Sequence, residues 1–269
     1  MKLSDAVKLL SDAGIENPRH DAREIFMRIG KISLAKLVFP DTECRSPEVL
    51  SAIERRITRE PLQYIIGDVD FYRETYTVNP NCLIPRQDTE ILVDFAVKNI
   101  PAGKKFLDLC TGSGCIAVST LNNTENTTAV AVDISAGALS VAKHNAEING
   151  VADRVEFILA DALEKAVPGK FYAILSNPPY VSETAYESLQ PEIYFEPKVA
   201  FVGGKDGLDF YERILLFYKD RISSDGFFAF EIGYDQGDGI KKVANRLGLR
   251  AEIIKDLSEN DRVAVIRRP

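Results

Sequence analysis

From residue 105 onward, short apolar runs alternate with longer segments of mixed polarity. Runs rich in Val, Ile, Leu, Ala and Phe fall at 105–110, 128–133, 155–160, 171–176 and 226–232, each bounded by turn-forming residues. Such runs, closed by Gly, Pro, Asn or Asp, have the length of buried strands. Between them, residues 114–122, 135–149 and 207–222 carry apolar positions at helical spacing. Strand and helix in alternation predict a doubly wound, mostly parallel α/β sheet. A helix over about 239–247 leads to strands at 249–257 and 261–267, and the short turn Ser258-Glu259-Asn260-Asp261 makes that last pair an antiparallel hairpin. Together these runs make a seven-stranded sheet.

The first 60 residues follow a helical period instead. Ser4 is placed to cap a helix bearing Ala6, Val7, Leu9 and Leu10. Asn17-Pro18 and Ser46-Pro47 each read as a cap followed by proline in the first helical turn, where its missing N–H costs nothing. Ile25, Phe26 and Ile29 follow the first, and Val49, Leu50, Ile53 and Ile57 the second. Residues 61–84 change character again: Tyr64, Ile65, Ile66, Val69, Phe71, Tyr72, Tyr76 and Val78 are β-branched or aromatic, punctuated by Gly67 and Asn79-Pro80. The expected organisation is a small helical domain over 1–60, a β-hairpin linker over 61–84 and the α/β domain over 85–269. Asp88 or Thr89 is placed to cap a helix through Ile91, Leu92, Phe95 and Val97. Arg86, just ahead of it, reads as a specific contact.

Composition narrows the function classes. The net charge of -7 is nearly all carried beyond residue 80, and neither part is basic, which argues against a protein that wraps long nucleic acid. No apolar run approaches a membrane span, and the first residues lack a signal-peptide core, so a cytoplasmic location is expected. The cysteines at 44, 82, 110 and 115 form no Cys-x-x-Cys pair and the only histidines are His20 and His144, so neither a zinc site nor a disulfide framework is expected.

Two stretches carry chemistry. Asn177-Pro178-Pro179-Tyr180 follows the apolar run 171–176. The prolines stop both strand and helix and leave an amide side chain, stiff carbonyls and an aromatic ring at a strand end. This acceptor-rich, donor-poor corner suits a planar –NH2 group, which needs two acceptors and a stacking surface. Upstream, Asp108-Leu109-Cys110-Thr111-Gly112-Ser113-Gly114 ends the first strand of the sheet and opens a helix. Its glycines permit a tight turn and close approach of a ligand. Asp133 ends the next strand, where a carboxylate accepts both hydroxyls of a ribose, and Asp161 ends the third, where it flanks a base. Gly112-x-Gly114-x-x-Ala117 with Asp133 also fits a dinucleotide fingerprint. A nicotinamide enzyme would need a His, Tyr or Lys acid, however, and the fourth strand ends in Asn-Pro-Pro-Tyr instead. The combination favours an S-adenosylmethionine-dependent methyltransferase over a dehydrogenase.

These motifs resemble those of the amino-methyltransferases and, within them, the PrmC/HemK family of peptide chain release factor glutamine methyltransferases. The likeness covers nearly the whole chain. It includes Glu60 to Gly67, Leu83 to Glu90, the glycine turn, Asn177 to Tyr180, Phe195-Glu196-Pro197, Gly204 to Leu208 and Asp261-Arg262-Val263. The resemblance implies a Rossmann-like methyltransferase fold and methyl transfer from S-adenosylmethionine to the glutamine amide nitrogen (N5) of the Gly-Gly-Gln motif in class 1 release factors. By position, Cys110, Thr111, Gly112, Ser113, Gly114, Asp133, Asp161, Ala162 and Asn177 would hold the cofactor. Asn177, Pro178, Pro179, Tyr180 and Arg86 would hold the substrate, with Asn177, Pro178 and Tyr180 catalytic and no metal. Two departures stand out: Cys110 replaces the family's usual glycine, and Ala162 stands where some members have an aromatic residue beside adenine. A glutamine methyltransferase of a ribosomal protein, a nucleic-acid adenine methyltransferase and a non-catalytic binding module are the other readings. The acidic charge counts against the nucleic-acid enzyme and the intact Asn-Pro-Pro-Tyr against the binding module.

Overall fold

The computed structural model describes residues 1–164 and 166–269, which divide into two units, 1–68 with 190–195 and 69–189 with 196–269. The first unit is helical. Helices α1 (Leu3–Asp12), α2 (Pro18–Arg28) and α3 (Pro47–Ile57) bury Leu10, Ile25, Phe26, Val49 and Ile53, and a short α4 (Leu62–Ile66) adds Leu62 and Ile65 to the same core. Each fully buried side chain of this kind contributes about 1.5–3 kcal/mol. Proline sets the start of α2 and α3, but neither Asn17 nor Ser46 caps through its side chain; the Ser46 hydroxyl bonds Glu48 instead. Ser4 is no cap either, since α1 already begins at Leu3. Segment 190–195 is tied into this unit by charge. Arg56, 7% exposed, binds Asp21 at 2.8 Å and Glu192 at 3.1 Å, and Arg59 reaches the other Glu192 oxygen at 2.8 Å.

The hairpin is shorter than its composition predicts. Strands β1 (Asp68–Phe71) and β2 (Glu74–Thr77) form it, whereas Tyr64, Ile65 and Ile66 are helical. Pro61 opens that helix, and Gly67, at a φ of 94°, closes it by donating its N–H to Gln63. Burial of Leu62 and Ile65 in the helical core outweighs their neighbours' β propensity.

Next come α5 (Glu90–Asn99), β3 (Lys105–Leu109), α6 (Cys115–Asn122), β4 (Thr128–Asp133), α7 (Ala136–Ile148), β5 (Val155–Leu159) and β6 (Phe171–Ser176). After α8 (Glu183–Tyr186) and α9 (Asp209–Tyr218), β7 (Ile222–Glu231), α10 (Gly237–Arg246), β8 (Arg250–Lys255) and β9 (Asp261–Arg267) complete the chain. Among the described residues these strands form a seven-stranded sheet of order β5-β4-β3-β6-β7-β9-β8, parallel except for β9, which runs against both neighbours. Strand β7 starts four residues earlier, and α9 ends four residues sooner, than the apolar pattern indicates.

Alternation within the strands sends side chains to two cores. Phe106, Ala129, Ala131 and Leu175 face α5, α6 and α7; Leu107, Val130, Val132 and Ile174 face α9 and α10. The chain direction across the sheet reverses between β3 and β6, and ligands of open α/β sheets bind outside the carboxyl ends at such a point. Pairing places Leu109 beside both Val132 and Ser176, Asp133 beside Leu159, and Ser176 beside Phe230. Cys110, Asp133, Ala160, Asn177 and Glu231 therefore emerge along one edge.

Candidate active site

A cleft opens along that edge of the α/β unit. Gly112, Asp133, Asp161 and Ala162 line it where the strands end, together with Asn81 to Leu83, Asn177, Pro179, Val199 and Phe210. A smaller recess shares Leu83, Cys110, Gly112 and Asn177 with it and continues to Arg86, Thr89, Thr111 and Ser113. Of the residues singled out from the sequence, Gly114, Pro178 and Tyr180 line neither hollow. Gly114 packs against α7, with Ala142 Cβ 3.0 Å from where its own Cβ would stand.

The glycine turn is built from inside. The Thr111 hydroxyl donates to Asp108 Oδ2 at 2.6 Å, and Asp108 Oδ1 has no partner among the described residues. Burial pushes the Asp108 carboxyl up to about 7. Thr111 and Ser113 are buried beneath the recess they help to line. Cys110 holds a φ of 59°, a left-handed conformation that costs a side-chain-bearing residue roughly 1–2 kcal/mol. Burial also pushes its thiol well above the ordinary range. Gly112 has a φ of 55° and no atom within 4 Å of the position its Cβ would take.

Asp133 fastens the turn to the next strand. Its Oδ2 accepts from Gly112 N and its Oδ1 from Ser135 N, both at 2.9 Å. Each oxygen keeps a second lone pair for a ligand. Desolvation raises its pKa. Asp161 Oδ1 accepts from Leu163 N at 2.7 Å, fixing the loop that carries Ala162.

The Asn-Pro-Pro-Tyr segment is held from four directions. The Asn177 amide donates from Nδ2 to Thr89 Oγ1 at 3.3 Å. The Tyr180 hydroxyl donates to Glu231 Oε1 at 3.2 Å, and Gln236 Nε2 donates to the Tyr180 carbonyl at 3.2 Å. Gly203 lies against the backbone so closely that a Cβ there would stand 2.1 Å from the Pro179 oxygen. Burial beside Glu231 holds the Tyr180 phenol above its ordinary pKa.

Arg86 is paired within the protein. Its guanidinium forms an ion pair with Glu196, whose other oxygen accepts from Ile84 N at 2.9 Å. The Glu196 side chain is 1% exposed and that of Arg86 35%. The pair ties the segment before Arg86 to the segment beginning at Pro197, and Leu83 and Pro197 both line the cleft. Thr89 stands at the start of α5 but makes no side-chain cap; its hydroxyl goes to Glu231 Oε2 at 2.5 Å. Sequence reasoning missed Glu231 and Phe210, and met Glu196 only as part of the family likeness, without a role. The acid that ends the apolar run Phe227 to Phe230 was the available signal for Glu231; nothing local marks Phe210. The described residues hold no His, Cys, Asp or Glu group able to bind a metal ion, and no helix long and apolar enough to cross a membrane.

Residues 2–67 match the PrmC N-terminal domain family and residues 87–193 the methyltransferase small domain family. The chain is 35% identical to the release factor glutamine methyltransferase of Thermodesulfovibrio yellowstonii, over all of this chain and 99% of that protein. It is also 35% identical to that of Geobacter sulfurreducens, over 89% of this chain and 85% of the relative. Among solved structures, a methyltransferase from Pyrococcus furiosus shares the α/β fold at a TM-score of 0.53 and 20% identity, covering 71% of this chain and 86% of its own. Similarity at this level along the full length shows that the chain belongs to the release factor glutamine methyltransferase family.

Proposed function

We propose that the protein transfers a methyl group from S-adenosylmethionine to the side-chain amide nitrogen (N5) of the glutamine in the Gly-Gly-Gln motif of class 1 peptide chain release factors. The observation that carries this reading is Asn-Pro-Pro-Tyr held at the carboxyl end of β6, beside the glycine turn and Asp133. The residues present fit the cofactor. Gly112 leaves open the space a Cβ would fill, Asp133 has free lone pairs, and the wall near Ala162 is apolar. Asp133 would take the ribose, Asp161 and Ala162 the base, and the backbone from Cys110 to Gly114 the remainder. Phe210 supplies a ring to the same cleft, a counterpart to the aromatic residue that position 162 lacks.

When bound, the cofactor supplies an electrophilic methyl. An amide nitrogen is a weak nucleophile because its lone pair is delocalised. Asn177 Oδ1 and the Pro178 carbonyl are assigned the two N–H groups of the substrate amide. Accepting them stabilises positive charge as it develops on nitrogen and turns the lone pair out of conjugation. The Tyr180 ring, held at its hydroxyl, is assigned the face of the amide plane. Fixing nucleophile and methyl together is worth up to roughly 7–11 kcal/mol. The nitrogen becomes strongly acidic on methylation, so no strong base is required. The partner is thus a protein; the net charge of -7 disfavours stable nucleic-acid binding, and action on translation factors places the enzyme in the cytoplasm. Tandem mass spectrometry of a Gly-Gly-Gln peptide after incubation with enzyme and cofactor tests the reading. The methyl is expected on the glutamine side chain; a methyl elsewhere, or none, overturns it.

A further inference from the structure

The surroundings of Asn177 raise a question its role as an acceptor leaves open: what makes the amide present oxygen rather than nitrogen. The two ends of an Asn amide are nearly the same shape, and only hydrogen-bond partners distinguish them. If Nδ2 faced the substrate –NH2 group, donor would meet donor.

The answer lies on β7. Glu231 is 1% exposed at the carboxyl end of that strand, one position beyond the Ser176–Phe230 pairing that aligns it with Asn177. Its two oxygens receive two hydroxyls: Tyr180 on Oε1 at 3.2 Å and Thr89 on Oε2 at 2.5 Å. Thr89, 2% exposed, has one hydroxyl hydrogen, and Glu231 takes it. Toward Asn177, the Thr89 oxygen therefore acts only as an acceptor, so the amide must turn Nδ2 to it, at 3.3 Å. Oδ1 is left as the free end. The backbone of Glu231 is itself fixed, because its carbonyl accepts from the Tyr211 hydroxyl at 2.9 Å.

We infer that Glu231 is a positioning residue for methyl transfer: through Thr89 it sets which end of the Asn177 amide meets the substrate nitrogen, and directly it anchors the Tyr180 ring. Glu231 touches neither substrate nor cofactor in this scheme. The inference rests on the proposed role of Asn177 as the amide acceptor.

Thr89→Val keeps the shape and removes the relay, while Thr89→Ser restores it. Glu231→Gln offers one acceptor where the carboxylate offers two, so one of the two hydroxyls must turn its hydrogen away. The experiment measures kcat and KM for a Gly-Gly-Gln release factor, the calorimetric Kd for S-adenosylmethionine and the melting temperature, with Asn177→Ala alongside. Thr89→Val and Glu231→Gln are expected to lower kcat about 10- to 100-fold, the size of effect a small misplacement of a reacting group produces. Cofactor Kd and melting temperature should stay near wild type, Thr89→Ser should recover the rate, and the double variant should be no worse than the poorer single. Wild-type kcat in both Thr89→Val and Glu231→Gln, with Asn177→Ala inactive, overturns the positioning role and leaves the proposed function standing. Rate losses that only follow losses of melting temperature or cofactor affinity overturn it as well. Wild-type activity in Asn177→Ala would bring down the acceptor reading, and this inference with it.

Discussion

Replacing Asp133 by alanine separates cofactor binding from fold stability. In the folded chain its carboxylate holds Gly112 N and Ser135 N, each at 2.9 Å, and presents its remaining lone pairs to the cleft. Loss of the two backbone bonds is opposed by relief of burial, which already raises the pKa of this carboxyl. The melting temperature of the ligand-free protein should therefore change little. Ligand binding has no such compensation. A hydrogen bond to a charged group is worth about 1.5–3 kcal/mol, and a ribose offers two hydroxyls. Water fills part of the gap, so a net loss of about 3 kcal/mol, or roughly 100-fold in Kd, is the working magnitude. Isothermal titration with S-adenosylmethionine measures it, and Asp133→Asn, which keeps one acceptor, should fall between. A Kd within about threefold of wild type would refute the ribose assignment, being under 1 kcal/mol. So would an affinity loss that matched a fall in melting temperature.

Three further outcomes follow from the same edge of the sheet. Gly203→Ala would place a Cβ 2.1 Å from the Pro179 oxygen, and overpacking of this kind costs about 1–3 kcal/mol; turnover and melting temperature should both fall, and an unchanged pair would contradict the packing described. Asp108, raised to about 7 by burial, binds its proton more tightly in the folded chain than in the unfolded one, where a carboxyl titrates near 3.9. Its contribution is thus complete below about pH 4 and lost as pH rises through about 7, so Asp108→Asn should flatten the fall in melting temperature over that window; parallel profiles for the two proteins would show that Asp108 does not titrate there. Arg86→Ala and Glu196→Gln should both weaken cofactor binding, because the pair and the Ile84 N bond to Glu196 hold together two segments whose ends, Leu83 and Pro197, line the cleft. If Arg86→Ala alone raises KM for the release factor, Arg86 contacts substrate directly.

The strand ends that form the cleft were legible in the sequence because each is an apolar run stopped by a polar or proline residue. Asp133 and Asn177 needed no tertiary information for that reason. The residues that hold them did. Thr89 meets Glu231 across 142 positions of sequence, where the start of α5 packs on β7, a contact no local pattern records, so its hydroxyl passed for a helix cap. Phe210 reaches the cleft from a segment far in sequence from Ala162, so no local pattern joins the two. The apolar residues at 64–66 carried strand composition and folded as helix because Pro61 and Gly67 frame a single turn and the helical core buries that turn. Arg86 read as a specific contact, but its partner within the chain, Glu196, lies 110 residues away and no local pattern names it.

The most direct test of the account is transfer of label from methyl-labelled S-adenosylmethionine to an intact class 1 release factor, beside the same factor with the Gly-Gly-Gln glutamine changed to alanine. The account predicts label on the first, none on the second, and loss of label from the first with the Asn177→Ala enzyme. Equal labelling of both factors, or no labelling while the cofactor binds normally, would contradict it.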